Sequence, residues 1–250
     1  MESRIAKELK LRHEPVAIIF TDEKPEGVLQ FTEGRWGCVV AMMTAAAKGK
    51  TAVFDRSTAG CMGGKVGLCF GNTYPDVPGG IENFLSTGTP GREGEAYKKS
   101  PELAKSYADQ LPFADIPEKY VIFKPLANVG PARETPQVVC MYTNPDQLSA
   151  LVVLANYGRP GADNVIIPFS AGCHTICLLP YHEGQQERPR AVVGLTDITA
   201  RPYIDADLLS FSVSWGMFLE MESNISGSFL EKHQWQKVRE RISFAAKPAV

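Results

Sequence analysis

Apolar and polar positions along the 250-residue chain alternate in short blocks that change period, and the blocks come in two similar sets. Val16-Ala17-Ile18-Ile19-Phe20 is a continuous apolar run of strand length, suited to a buried strand. Before it, residues around Ser3 to Leu11 have the spacing of a short amphipathic helix. After it, the small and apolar residues from Cys38 to Ala47 predict a buried helix, closed by Gly49. Thr51-Ala52-Val53-Phe54 predicts a second strand. Residues 60–71 carry so many glycines that the pattern predicts an irregular loop shaped for close backbone approach.

The second set repeats the first. Tyr120-Val121-Ile122-Phe123 and Val138 to Tyr142 predict strands, and Asn144-Pro145 opens a helix running to Asn156. Asn164 to Phe169 and Ala191 to Leu195 predict further strands. A helix is expected from about Asp205 to Glu222, and an amphipathic one near Phe229 to Ile242 packs on the outside. Between the sets, residues 81–87 and 95–110 read as helices of a more polar insertion.

The expected fold is therefore α/β: two related βα half-units packed as one pseudo-symmetric domain with a mixed sheet. Half-unit one covers about 1–90, the insertion about 91–118 and half-unit two about 119–250, all in a single domain. Each half delivers the chain to a cysteine on a small-residue turn, Ser57-Thr58-Ala59-Gly60-Cys61 and Ser170-Ala171-Gly172-Cys173. Packing about a two-fold axis would turn Cys61 and Cys173 toward one shared site.

Composition narrows the chemistry. A hydrophobic share of 44%, a charged share of 22% and a net charge of -2 belong to an ordinary globular chain and give no electrostatic reason for nucleic acid or an anionic membrane. The first ten residues lack the apolar run of a signal peptide, so a cytoplasmic location is expected. In that compartment six cysteines read as thiols, ligands or catalytic groups rather than a disulfide framework.

Cys38 follows Gly37 at a helix start, where free amides favour a thiolate. Cys61 and Cys173 lie where backbone amides can bond cluster sulfides. These three are the expected metal ligands. Gly60, Gly63, Gly64 and Gly172 are the expected backbone contacts to a cofactor. Cys69 and Cys177 remain alternatives for a fourth ligand, and Cys140, inside an apolar strand, reads as core.

No Cys-x-x-Cys pair marks a zinc ribbon, and Gly60 to Val66 has neither the spacing of a phosphate-binding loop nor its hydroxyl. His174 reads as a polar residue at the site's rim. Asp197 and Arg201, four apart, read as a local ion pair. Trp215, Phe218 and Trp235 serve a core and an interface between identical subunits equally well. The expected function is iron-sulfur cluster binding, with a small-molecule or redox partner. A metal-independent enzyme with a cysteine nucleophile and a small-molecule binding protein are the alternatives.

Gly37-Cys38, Ala59-Gly60-Cys61, Pro78-Gly79-Gly80-Ile81-Glu82-Asn83-Phe84-Leu85-Ser86-Thr87-Gly88, Ser170-Ala171-Gly172-Cys173 and Gly194-Leu195-Thr196-Asp197 together resemble the domain of unknown function 169 family over nearly the whole chain. The resemblance implies a cysteine-rich, cytoplasmic protein of the kind frequent in anaerobic prokaryotes, and it implies no particular reaction.

Overall fold

The structure, a computed structural model, describes residues 1–74, 77–130 and 134–242; the end of half-unit two, 243–250, lies outside the described residues. A short helix α1 (Arg4–Glu8), capped by the Ser3 hydroxyl, leads to strand β1 (Val16–Thr21). Then follow α2 (Val39–Ala47), β2 (Ala52–Phe54), α3 (Met62–Gly67), β3 (Phe70–Gly71), α4 (Ile81–Phe84), α5 (Pro101–Ala108), β4 (Ala114–Asp115) and β5 (Tyr120–Pro125). The rest comprises β6 (Val138–Thr143), α6 (Pro145–Tyr157), β7 (Val165–Ile166), a π-helix over His174–Leu178 running into α7 (Leu179–Gly184), β8 (Ala191–Gly194), β9 (Leu209–Ser214), α8 (Trp215–Ser223) and α9 (His233–Arg241).

Seven strands form one sheet in the order β2-β5-β1-β6-β9-β8-β7, and β3 pairs with β4 separately. Every pairing in the large sheet is antiparallel except β7 with β8, so the sheet is mixed as expected. β1 is apolar throughout because both its faces are covered. Val16, Ile18 and Phe20 join the core under α2, whereas Ala17 and Ile19 join the core under α6 and α8. The Asn144 cap is complete: its side chain accepts from the Gln147 amide while the Gln147 side chain accepts from the Asn144 amide.

β1 and β6 are antiparallel neighbours, and α2 and α6 cover opposite faces of the sheet. The α/β class and the mixed sheet hold.

Two elements differ from the expectation. The glycine-rich stretch is helical over Met62–Gly67, because its glycines let the helix lie directly on neighbouring backbone. The span expected to be one helix from Asp205 splits into a strand and a helix. Leu209, Phe211 and Val213 alternate with Ser210, Ser212 and Ser214, a period of two that specifies a strand, and the helix starts only at Trp215. Phe218 and Trp235 are buried in the core under α6, and Trp215 stacks on Phe218, so all three serve packing.

Candidate functional site

Three helical starts meet on the α2 face of the sheet. Cys38 is the residue before α2 and Cys61 the residue before α3, both with extended backbone. The chain turns helical again at Gly172, with Cys173 immediately before the π-helix. A π-helix widens the turn by one residue, and such insertions recur at functional sites. The sulfur of Cys61 accepts the Gly64 amide at 3.2 Å, and the Cys173 thiol donates to the Gly63 carbonyl at 3.0 Å. Segments far apart in sequence are thereby stitched together.

All three cysteines line one cavity of about 460 Å³. Gly63 and Gly172 line it too; Gly60 and Gly64 do not. Gly60 sits at φ +81 against the Gly37 carbonyl, and Gly64 packs its bare Cα on the Ala59 carbonyl, so these two glycines allow close packing beneath the site. Cys69 and Cys177 stand apart from the cavity as a buried pair, with the Cys177 thiol held well up by the Cys69 sulfur beside it and by burial. Cys140 is core, its thiol pushed up to about 12 by burial.

Burial also raises the Cys38, Cys61 and Cys173 thiols, most strongly Cys173. The amides of Val40 and Ala41 oppose this at Cys38, and those of Gly64 and Gly63 oppose it at Cys61. Desolvation outweighs the helix-start amides, so the thiols of the metal-free protein are neutral near pH 7.

The insertion supplies the cavity's roof. Ile81, Phe84 and Leu85 from the α4 segment, with Tyr97 and Tyr107, cover it from one side. Trp36, Tyr74, Phe169 and Tyr203 complete an aromatic wall. Trp36 and Ile198, 71% and 69% exposed, mark its mouth. The sequence reading missed these aromatics because nothing in a polar insertion distinguishes a ring that faces a cavity from one that packs. Their one visible signal was Tyr97 and Tyr107 in a segment with little apolar core of its own.

His174 is not at a rim. It is fully buried, and its Nδ1 lies 2.9 Å from the Ser170 hydroxyl, which in turn lies 2.8 Å from the Tyr107 hydroxyl. Its Nε2 has no hydrogen-bond partner within bonding distance among the described residues. Burial lowers its pKa to about 4, against a pull in the other direction from Asp197. An unfolded histidine titrates near 6.5, so as pH falls the unfolded chain takes up this proton first. The stability held by neutral His174 is whole above about pH 6.5 and is lost toward pH 4, by up to about 3 kcal/mol. Urea titrations at pH 7 and pH 4.5 are expected to show this loss, and His174→Asn, which keeps a polar atom near Nδ1 but cannot titrate, is expected to flatten it.

Asp197 and Arg201 do not pair. The Asp197 carboxylate accepts from the Gly172 amide (2.9 Å), from the amide and hydroxyl of Thr199, and from the Tyr97 hydroxyl (3.3 Å), while Arg201 donates to the carbonyls of Leu208 and Ala206. Asp197 thus caps the helical start that carries Cys173. Its charge also helps raise the thiols of Cys38, Cys61 and Cys173 and the hydroxyls of Tyr74, Tyr97 and Tyr107, behind burial as the main cause.

Fold and site together define an α/β protein with a cysteine-lined, aromatic-walled cavity on one face of a mixed sheet. Within that class, the chain belongs to the domain of unknown function 169 family, whose model, described as Uncharacterised ArCR, matches residues 4–224. The match takes in all three cavity cysteines and the roof. No curated protein and no solved structure matches the chain significantly. Among the described residues, no helix is long and apolar enough to cross a membrane.

Proposed function

We propose that this protein binds a metal centre, an iron-sulfur cluster held by the thiolates of Cys38, Cys61 and Cys173. The observation that carries this reading is that three cysteines from three separate segments, each at a helical start, line one cavity. Thiolates are the ligands such clusters take, and the amides beside Cys38 and Cys61 are placed to bond to sulfide or thiolate.

Among the described residues no group of three or more His, Cys, Asp or Glu stands arranged to hold a metal ion, and the reading rests on the chemistry of the three thiols.

Bound to three thiolates, a four-iron cluster supplies one iron with a free position for a ligand or for electron exchange. The chain's own residues give that position its surroundings. The aromatic wall and the roof of residues 81–107 surround it with rings and apolar side chains, and Asp197 holds the Cys173 helical start in place. The alternative of a metal-free cysteine nucleophile is disfavoured, because burial keeps all three thiols protonated and the thiolate is the reactive form.

Purification without oxygen or chelator, followed by iron and sulfide analysis and a visible spectrum, tests the reading. Near-stoichiometric iron and sulfide with a brown visible chromophore are expected. Colourless protein that also resists reconstitution with iron and sulfide overturns it.

A further inference from the structure

The cavity has a charge pattern of its own. Two carboxylates, Asp197 and Glu95, line it, and among the described residues no lysine, arginine or histidine does. An anionic ligand would lose its hydration there with no side-chain cation to replace it, a cost of several kcal/mol. A phosphate or carboxylate ligand is therefore disfavoured.

The wall beside Asp197 suits the opposite charge. Phe169 lies with its ring centre 5.1 Å from that of Tyr107 and 6.0 Å from that of Tyr97, and the Tyr97 hydroxyl donates to Asp197. Aromatic faces are negative and attract cations within about 6 Å. These rings already do so: Lys98, which does not line the cavity, places its Nζ 4.6 Å from the Phe169 ring centre and 5.4 Å from that of Tyr107.

Both oxygens of Asp197 accept bonds, from Gly172, Thr199 and Tyr97, which fixes the carboxylate beside these rings. A carboxylate has about four lone-pair sites, so it can still accept from an N–H cation, and an alkylated onium centre gains from rings and a fixed negative charge alone. From the rings of Phe169, Tyr97 and Tyr107 and the carboxylates of Asp197 and Glu95, we propose that the cavity binds an organic cation.

This inference shares its cavity, its aromatic wall and Asp197 with the cluster proposed above, and iron content read apart from cation binding lets either reading fail alone. Phenyltrimethylammonium, its uncharged isostere tert-butylbenzene and benzoate are titrated into the protein as purified, and again into protein stripped of metal, with Trp36 fluorescence or heat as the readout. The cation is expected to bind at least tenfold more tightly than tert-butylbenzene, about 1.4 kcal/mol, with benzoate weakest in both preparations. Phe169→Leu is expected to remove most of that preference while leaving the affinity for tert-butylbenzene within about twofold. Asp197→Asn, with its fold checked by circular dichroism and its iron content measured alongside, is expected to weaken the cation more than tert-butylbenzene. Equal binding of cation and isostere, tighter binding of benzoate, or an unchanged preference in folded Phe169→Leu protein overturns the proposal. Iron content, measured separately, reports on the cluster.

Discussion

Serine in place of Cys61 or Cys173 is expected to lower the iron held by the purified protein at least about tenfold, without unfolding it. The exchange removes one thiolate and leaves a hydroxyl that is a far poorer ligand for iron. Each side chain is small, and each makes a single hydrogen bond of its own, Cys61 to the Gly64 amide and Cys173 to the Gly63 carbonyl, which serine can replace in kind. Cys140→Ala is the control: this thiol lies in the core away from the cavity, so iron should be unchanged while stability falls modestly. Cys69→Ala separates the remaining alternative, because the buried Cys69–Cys177 pair lies off the cavity and should leave iron intact. Iron assays with far-ultraviolet circular dichroism on the same samples decide the matter. Full iron in both serine variants would remove the three-thiol site.

The second large effect concerns Gly64, whose role is visible only in three dimensions. Alanine normally stabilises a helix over glycine by about 1 kcal/mol. Here a Cβ would overlap the Ala59 carbonyl oxygen and stand 2.9 Å from a methyl group of Val39. The oxygen belongs to the backbone, so α3 itself must shift away from the turn that carries Cys61. Gly64→Ala is expected to destabilise the fold by about 3 kcal/mol, which for a chain of this size lowers Tm by about 6–12 °C. Gly216→Ala is the matched comparison. It also lies in a helix, yet an added Cβ there meets nothing within 4 Å, and it should raise stability by up to about 1 kcal/mol. Thermal melts of the two variants are expected to move in opposite directions.

Sequence patterns of one or two turns were legible and patterns that depend on partners were not. The apolar run at Val16, the small-residue helix after Cys38 and the Asn144-Pro145 opening all form as their local chemistry dictates. The repeated small-residue turn led to Cys61 and Cys173, and these do share a cavity with Cys38. Glycine frequency misled at residues 62–67, since a helix pressed against other backbone needs bare Cα atoms that an exposed helix would avoid. Hydrophobic content misled at 209–214, where the serines hide a strict alternation. His174 and Asp197 were misjudged for a shared reason. The partners that fix them, Ser170 and Tyr107 for one and Gly172, Thr199 and Tyr97 for the other, include residues dozens of positions away along the chain.

The thiol-to-carbonyl bond from Cys173 to Gly63 spans 110 positions of sequence, and Cys38 joins the same cavity from a third segment. Anything that grips all three cysteines acts as a clasp across stretches that meet only once the sheet is assembled. An unfolded chain has no such grip, so the free energy of loading is added to the free energy of folding. An occupant of that kind should raise the apparent stability of the fold by as much as it prefers the folded chain.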